Sequence, residues 1–450
     1  MSSFALRDAD DLLHLAGELG LDLPWSKKLE PLLEPVELTL PGPGRMRLPN
    51  RLGVHPMEGF DAAPDGSPAE PARRRYLRYA EGGSGLIWFE ATAVVPEGRS
   101  NPRQLLLDPA TVGAFTELVE AVRHRARAAF GADHRPLLVL QLTHSGRFSR
   151  PAGKPQPLVA AINPHLDARP ESAQVLSDDD LESLVERFIA AAGLAAGAGF
   201  DAVDIKACHG YILHDLLAAR ARSGSRFGGP DLADRTRVML RIVDGIRAAC
   251  PDLGLAARIS LTDSLPPPWG FGTAADGAVD LSEPHLLLDD LERSGCRLLN
   301  VTAGIPALFP WLGRPSDRAA GGGDPGPEHP LAGVARLLGL ARSVLNAHPG
   351  LTVVGTGLSW LRHLWPGVGA GALADGWAHL IGLGRSSFAY PEAPRDLMRT
   401  GTLDRRKVCV TCSRCTELMR ALSPTGCAVH DERYRDLYGA LDRMEGEDPN

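Results

Sequence analysis

The apolar residues of the chain fall into short continuous runs, separated by longer stretches with helical spacing. The runs place Val, Ile and Leu at consecutive positions, which is typical of parallel strands whose outer face is covered. Between them, residues 181–196 carry Leu184, Phe188 and Ala191 three or four positions apart, with residues 178–180, all Asp, as candidate N-caps. The pattern predicts eight strands, over residues 51–55, 85–90, 137–141, 202–206, 255–259, 297–302, 352–355 and 378–383.

Eight alternations of strand and helix predict an α/β fold, a TIM (β/α)₈ barrel with insertions. A doubly wound parallel sheet is the alternative if one or two strands are wrong. Residues 36–395 form the predicted barrel, residues 1–35 a helical extension and residues 396–450 a separate cysteine-rich segment. Two Gly- and Pro-rich stretches after strands, 265–280 and 309–333, are either disordered insertions or loops that cover a substrate.

Composition narrows the class of protein. The 450 residues are 44% hydrophobic and 23% charged, which is typical of a soluble globular chain. Neither an apolar run of about 18 residues nor a basic, apolar leader is present, so we expect no membrane span, no signal peptide and a cytoplasmic location. The formal charge of −7 argues against nucleic-acid and anionic-membrane partners.

Four of the seven cysteines form one motif, Cys409-x₂-Cys412-x₂-Cys415-x₁₁-Cys427. Three thiolates at two-residue gaps, closed by a fourth, favour a [4Fe–4S] cluster. Zinc is the less favoured alternative because zinc sites usually pair two separated C-x₂-C units, and unligated thiols come last. A cluster carries one electron at a time, so we expect beside it a cofactor that handles one and two electrons, which a flavin does.

Several strand-end stretches together resemble the old yellow enzyme family of FMN-dependent NADH:flavin oxidoreductases. With the cysteine motif, the resemblance is to the subgroup that contains 2,4-dienoyl-CoA reductase and trimethylamine dehydrogenase, and it covers residues 32–430. The stretches are residues 50–57 (NRLGVHPM), 85–94 (GLIWFEATAV), 141–147 (QLTHSGR), 207–213 (ACHGYIL), 227–229 (FGG), 235–237 (RTR), 258–260 (RIS), 354–357 (VGTG) and 384–385 (GR).

The resemblance implies an FMN site. Glycines after the last two strands let backbone N–H groups approach a phosphate, and an arginine adds charge. Relatives often carry Arg after the residue that matches Gly357, whereas this chain has Leu358, which leaves more of the charge to Arg385. The resemblance also implies contacts around the flavin ring, from the backbone of Pro56 and Met57, from Ala91 nearby and from Gln141 at the pyrimidine edge. Arg258 is implied to face N1 and C2=O, where its positive charge stabilises the reduced flavin. The predicted cofactor-binding residues are Pro56, Met57, Ala91, Gln141, Arg258, Gly355, Gly357, Gly384 and Arg385.

Some of these residues have a structural alternative. Gln141 and Arg258 are also compatible with a polar network inside the barrel. Pro56, Met57 and Ala91, taken without the surrounding pattern, would be read as plain packing.

The resemblance also implies a catalytic triplet after the fourth strand. Tyr211 matches the tyrosine that protonates the carbon opposite hydride delivery, and His209 matches a residue that grips a carbonyl oxygen. Lys206 replaces the usual histidine and is a departure. It polarises a carbonyl, acts as a neutral base in amine or alcohol oxidation, or forms a structural ion pair with Asp204 or another carboxylate. Nearby, His144 is a candidate substrate contact and His214 is expected on a helix surface.

The preferred reaction is reduction of an activated C=C bond, with the cluster relaying electrons. An amine or alcohol dehydrogenase or demethylase, and a non-catalytic scaffold with structural zinc, are the alternatives. The cluster-bearing relatives carry C-terminal nucleotide-binding domains, but only 23 residues follow Cys427 here and none form Gly-x-Gly-x-x-Gly. We therefore expect an external electron-transfer protein, with direct reduction by NAD(P)H as the competing route.

Overall fold

The computed structural model describes residues 4–323 and 325–446. Its strands are β1 (Val36–Leu40), β2 (Gly44–Leu48), β3 (Leu52–Val54), β4 (Leu86–Ala93), β5 (Leu137–Thr143), β6 (Leu158–Val159), β7 (Gln174–Val175), β8 (Ala202–Ala207), β9 (Gly254–Ser260), β10 (Leu298–Thr302), β11 (Thr352–Gly355) and β12 (Leu380–Leu383). Eight of them close into a parallel barrel in the order β3-β4-β5-β8-β9-β10-β11-β12, with Val54 opposite Leu383 at the closure. The TIM-barrel prediction and all eight predicted strands are confirmed, and the doubly wound sheet is wrong.

Helices surround the barrel. They are α1 (Ala9–Glu18), α2 (Glu30–Leu33), α3 (Glu70–Glu81), α4 (Val112–Phe130), α5 (Asp178–Gly197), α6 (Ile212–Leu217), α7 (Leu232–Ala249), α8 (Ser282–Arg293), α9 (Pro310–Gly313), α10 (Pro330–Ala347), α11 (Trp365–Ala374), α12 (Arg385–Ala389), α13 (Ala393–Thr400), α14 (Arg414–Arg420) and α15 (Glu432–Gly446). The N-cap of α5 is Ser177 rather than one of the three aspartates, which occupy the first helical turn. Ser177 and Asp180 form a capping box there. None of the helices in the described part of the chain is long and apolar enough to cross a membrane.

A hairpin of β1 and β2 closes the end of the barrel where the strands begin. Leu38, Leu40 and Leu48 pack against the first residues of the barrel strands, among them Leu86 and Leu137. The hairpin was not predicted because its strands are short and half exposed, so they lack the continuous apolar runs of the barrel strands.

The two terminal segments contact the barrel differently. The N-terminal segment packs on the outside of the barrel against α11. Trp25 lies so close to Gly371 that a Cβ on Gly371 would come within 2.4 Å of the Trp25 backbone nitrogen. The cysteine-rich segment lies over the carboxyl ends of the strands, at the end of the barrel that the hairpin does not close. There the backbone N–H of Thr425 donates to the carbonyl of Gly59 at 2.6 Å. Helix α13 runs across the predicted boundary at residue 395, and the division into three parts stays a prediction.

Both Gly- and Pro-rich stretches make defined contacts over this same end. In the first, the Asp263 carboxylate accepts hydrogen bonds from the backbone N–H groups of Leu265 and Phe271, each at 2.9 Å. In the second, Arg314 donates to the Thr416 hydroxyl at 3.0 Å, so this loop contacts the cysteine-rich segment. These contacts favour covering loops over disordered insertions.

Candidate functional site

A cavity of about 580 Å³ opens at the carboxyl ends of the barrel strands. This volume lies within the range of small-molecule and cofactor sites. Nine of the twelve predicted barrel-site residues line it together: Pro56, Met57, Lys206, His209, Tyr211, Arg258, Gly357, Gly384 and Arg385. The cavity also has a wall from the cysteine-rich segment, formed by Thr416, Met419, Arg420 and Leu422.

The other three predicted residues lie beneath the cavity wall. Gly355 and Ala91 are within strands, and Ala91 is fully buried. Gln141 is also fully buried and donates from Nε2 to the Asp204 carboxylate at 2.5 Å, while Trp88 donates to the same oxygen at 2.9 Å. Gln141 therefore takes part in the structural network that the sequence left open as an alternative. Its Oε1 is buried without a hydrogen-bond partner in the described residues.

One end of the cavity is formed by the loops after β11 and β12. Gly357 adopts φ +89°, and a Cβ on it would lie 2.5 Å from Leu337, so only glycine fits there. The Ser386 hydroxyl donates to the Ser359 hydroxyl at 3.1 Å and thereby joins the two loops. Small residues and backbone at this end leave room for an anion to approach closely.

Five arginines line the cavity: Arg150, Arg258, Arg314, Arg385 and Arg420. Arg150 and Arg420 are exposed, and we call the other three the inner arginines. No carboxylate within the described ranges forms an ion pair with any of them, although most buried charges in proteins are paired. Arg385 is 8% exposed and donates to the carbonyl of Pro315 at 2.5 Å. Pro315 directly follows Arg314 in the sequence, so the two arginines lie close together. Burial and the nearby charge of Arg385 lower the pKa of Arg314 to about 10. The cavity is therefore electropositive and suits an anionic ligand.

Tyr211, Lys206 and Glu58 line the cavity beside Arg258, since Lys206 on β8 is in register with Arg258 on β9. The Tyr211 hydroxyl donates to the Glu58 carboxylate, with Oη 3.2 Å from Oε2, and Gln104 donates to the same carboxylate at 3.0 Å. The Lys206 ammonium lies 3.6 Å from the centre of the Tyr211 ring, a cation–π contact. Burial is the main cause that raises the pKa of Tyr211 well above its ordinary value, and the Glu58 charge adds to it. Tyr211 therefore keeps its proton at neutral pH.

Burial also lowers the pKa of Lys206, although the nearby Glu58 carboxylate opposes that shift. Lys206 is 5% exposed, and among the described residues no carboxylate lies within ion-pair distance of it. The structure shows no ion pair between Lys206 and Asp204: one Asp204 oxygen accepts hydrogen bonds from Gln141 and Trp88, and the other has no hydrogen-bond partner among the described residues.

His209 also lines the cavity, from the turn after β8. It has φ +64°, its backbone N–H donates to the Ser260 hydroxyl at 3.2 Å, and its ring nitrogen Nε2 lies 3.4 Å from the Thr302 hydroxyl. Burial, with the Arg258 charge as a second cause, lowers the pKa of His209 well below its ordinary value. His209 is therefore a neutral hydrogen-bonding group.

Two other histidines differ from expectation. His214 is 1% exposed and accepts a hydrogen bond from the Gly210 backbone at 2.9 Å, so its predicted place on a helix surface is wrong. The reason is that α6 is covered on all sides, since all of its residues are buried. His144 lies outside the cavity wall and accepts from the Gly146 backbone at 3.1 Å.

Glu58 and Arg314 were not predicted as site residues. Glu58 directly follows the Pro56-Met57 pair, so its position beside a predicted cofactor motif was an available signal. Arg314 lies in a Gly- and Pro-rich loop far from every motif, and only the fold brings it to the cavity.

A second, smaller cavity lies beside the first. All four cysteines of the motif, Cys409, Cys412, Cys415 and Cys427, line it together with Arg385 and Phe388. Burial raises the pKa of the Cys409 thiol to about 12 and that of Cys427 to about 11. Across the described ranges, no three His, Cys, Asp or Glu side chains are arranged to hold a single metal ion. Arg385 lines both cavities and forms part of the wall between them.

The geometry fits FMN on two observations. The inner arginines have no carboxylate partner among the described residues, and the backbone of Gly357, in a left-handed conformation that suits glycine, lines the cavity beside Ser359 and Arg385. Arg258 and backbone groups around Met57 would contact the ring of a flavin. Met57 packs closely against the loop after β12, since a Cβ on Gly384 would lie 3.1 Å from its sulfur.

Comparison with known proteins agrees with this geometry. Residues 32–285 match the NADH:flavin oxidoreductase / NADH oxidase family. The NADH oxidase of Thermoanaerobacter brockii is 27% identical over 378 residues, 82% of this chain and 52% of that protein. The chain thus spans about half the length of this curated relative.

Two solved structures share the fold. A 2-naphthoyl-CoA reductase in complex with 2-naphthoyl-CoA superposes with a TM-score of 0.69 at 18% identity, over 91% of this chain and 58% of that one. Histamine dehydrogenase from Rhizobium sp. 4-9 superposes with a TM-score of 0.67 at 22% identity, over 89% and 52%.

Proposed function

The chain belongs to the NADH:flavin oxidoreductase / NADH oxidase family and is an FMN-dependent oxidoreductase, and from this premise we propose that it reduces an activated C=C bond. The observation that carries the proposal is the wall on which Tyr211, Lys206 and His209 meet over one cavity. Family membership also argues against the non-catalytic scaffold.

Each of the three residues has a distinct task in this proposal. Tyr211 holds a proton at Oη, and the Glu58 carboxylate fixes the direction of that hydroxyl. Lys206 and neutral His209 donate hydrogen bonds to the carbonyl oxygen that activates the double bond, which orients the substrate and polarises it. When bound, FMN supplies the hydride. Tyr211 then supplies the proton to the neighbouring carbon.

The test separates the two half-reactions of the enzyme. We expect Tyr211→Phe to slow reoxidation of the reduced protein by 2-cyclohexenone by about 100- to 10,000-fold, because the proton donor is lost. Flavin reduction by NADH or NADPH should keep its rate, since Tyr211 takes no part in it. Reoxidation by the enone that is equally fast in both proteins would contradict the role of Tyr211.

Oxidation of an amine or alcohol is the second candidate. It is favoured by the burial that lowers the pKa of Lys206, because a neutral amine there is a base. Histamine dehydrogenase shares the fold, although that likeness concerns the architecture alone. Anaerobic bleaching of the flavin by a primary amine, without reoxidation by enones, would favour this candidate over C=C reduction.

We further propose that the cysteine cavity holds a [4Fe–4S] cluster. In such a cluster each thiolate binds a different iron, so the four sulfurs stand around a cavity rather than around one point. The four cysteines that line one cavity support this arrangement. Because Arg385 is part of the wall between the cavities, a cluster there would exchange electrons with the flavin over a short path. NAD(P)H or an external electron-transfer protein as the electron source stays a prediction.

Iron and acid-labile sulfide analysis of anaerobically purified protein tests the cluster. We expect about four of each per chain, and loss of both in Cys427→Ala. Cys250→Ala is the matched control, because Cys250 is a half-buried cysteine outside the motif and should leave the content unchanged. One zinc per chain in place of iron would contradict the cluster and favour the zinc alternative.

A further inference from the structure

The end of the cavity formed by the loops after β11 and β12 receives no cationic side chain from the residue that follows Gly357. That residue is Leu358, which is 1% exposed. Its side chain packs with Leu331, Val334 and Trp360 in an apolar cluster outside the barrel. The loop after β11 therefore contributes backbone and hydroxyl groups to the cavity but no cationic side chain from this position.

Arg314 reaches the same cavity from a different loop. It directly follows α9, in the loop after β10, and lines the cavity with Gly357, Ser359 and Arg385. Its Nη1 donates to the Thr416 hydroxyl at 3.0 Å, which fixes the guanidinium. Its Nε is buried and has no hydrogen-bond partner among the described residues. A fixed guanidinium with an unused buried donor is a site for an acceptor.

Arg314 and Arg385 are held side by side although they carry the same charge. Arg385 donates to the carbonyl of Pro315, the residue that follows Arg314. Two neighbouring buried guanidiniums repel each other and lose hydration, a cost that an anion between them offsets. A phosphate monoester offers both the charge and several acceptor oxygens, and guanidinium groups match its geometry.

We propose that Arg314 binds the phosphate of FMN and supplies, from the loop after the sixth barrel strand, the charge that Leu358 does not. The inference rests on FMN being the cofactor. It predicts that Arg314 selects FMN over riboflavin, because the two flavins share the ring and the ribityl chain and differ in the phosphate.

Fluorescence titration of the full-length, deflavinated chain with FMN and with riboflavin tests this selection. We expect Arg314→Ala to weaken FMN binding about 10- to 100-fold, as loss of a charge-assisted contact does. The Kd for riboflavin should change less than about twofold. Arg314→Lys keeps the charge and should recover a large part of the preference for FMN.

Arg336→Ala is the matched control, because Arg336 is a half-buried arginine paired with Glu328 and outside the cavity wall. It should leave both dissociation constants unchanged. If Arg314→Ala does not fold, Thr416→Val releases the guanidinium without removing it and should lower the preference for FMN more modestly.

The contrary results are distinct. Equal weakening of both flavins by Arg314→Ala would show that Arg314 shapes the cavity rather than binding phosphate, and unchanged binding of both would overturn the proposal outright. Failure of the unsubstituted chain to bind either flavin would contradict the FMN assignment itself.

Discussion

Two groups of charged residues inside the molecule differ in whether their charges are paired, although a single loop connects them. In the first, Arg75 forms an ion pair with Asp61 and with Glu90, at 2.5 Å to the latter, and Tyr76 donates to Glu90 at 3.0 Å. The backbone N–H of Gly59 donates to the second Glu90 oxygen at 2.6 Å. We call this set the Arg75 network. Its charges find their partners within the protein.

In the second group, the inner arginines face the cavity with no carboxylate of the described residues paired to them. The loop after β3 connects the two groups. Its residues Met57 and Glu58 line the same cavity as the inner arginines, whereas Gly59 and Asp61 belong to the Arg75 network. We call the Arg75 network the closed set and the inner arginines the open set. Buried charges that are paired hold a loop in place, whereas buried charges without partners are typical of a ligand site.

The largest expected effect is on the closed set. At pH 8, above the pKa of about 7 to which burial raises Glu90, Arg75→Met would leave two buried carboxylates without their cation, and breaking such a pair costs about 3–5 kcal/mol of folding free energy. Urea unfolding followed by circular dichroism measures the loss. Arg45→Ala, which breaks an ion pair whose arginine side chain is 80% exposed, should leave the midpoint unchanged. Equal midpoints for Arg75→Met and the unsubstituted protein would contradict the structural role of the network.

Removing an inner arginine should have the opposite effect: the stability of the fold is kept and flavin binding is lost. Arg258→Ala leaves no carboxylate unpaired, so we expect the deflavinated protein to unfold at the same urea concentration or a higher one. Flavin retained through gel filtration should fall at least about tenfold, because the charge facing the ligand is lost. Arg237→Ala, on the outer face of α7, serves as the control for loss of a positive charge. A destabilised protein with normal flavin content would overturn the distinction between open and closed sets.

Glu58 lies between the two groups and tests the catalytic wall. Glu58→Gln keeps a hydrogen-bond acceptor for the Tyr211 hydroxyl but removes the charge, so reoxidation by an enone should slow by about 10-fold, less than in Tyr211→Phe. Stopped-flow absorbance measures the rate. Loss of flavin with unchanged chemistry would assign Glu58 to binding instead.

The smallest expected effect is a pH dependence from the closed set. Burial raises the pKa of Glu90 to about 7, above its ordinary value of 4.5. The folded state thus holds a proton that the unfolded chain releases, so stability from this group is full below about pH 4.5 and is lost as pH rises through about 7.

Urea midpoints between about pH 5 and pH 8 should therefore fall in the unsubstituted protein, with a slope from this group of at most about 1.4 kcal/mol per pH unit. Glu90→Gln should flatten that part of the curve, because glutamine does not titrate. An identical slope in both proteins would show that Glu90 is ionised in the fold.

Much of the fold followed from the sequence because parallel barrel strands are continuous apolar runs, a local pattern. The hairpin of β1 and β2 escaped since half-exposed strands of five residues lack that pattern. The cap of α5 moved by one residue because Ser177 and Asp180 cap each other reciprocally, a pairing that the run of aspartates obscured.

The site was predicted as far as its residues lie in motifs at strand ends. Residues that act through the fold alone were missed: Arg314 arrives from an irregular loop, and the burial of His214 depends on what covers α6. Gln141 shows the reverse limit, since its sequence context did not reveal that Asp204 holds its amide.

The most direct test of the central claim, that the open set of buried cations is a flavin site beside an iron–sulfur site, is an absorption spectrum of anaerobically purified protein. The account predicts flavin bands over a broad shoulder that dithionite bleaches, with released flavin identified as FMN at about one per chain. A folded, colourless protein that takes up no added FMN would contradict it.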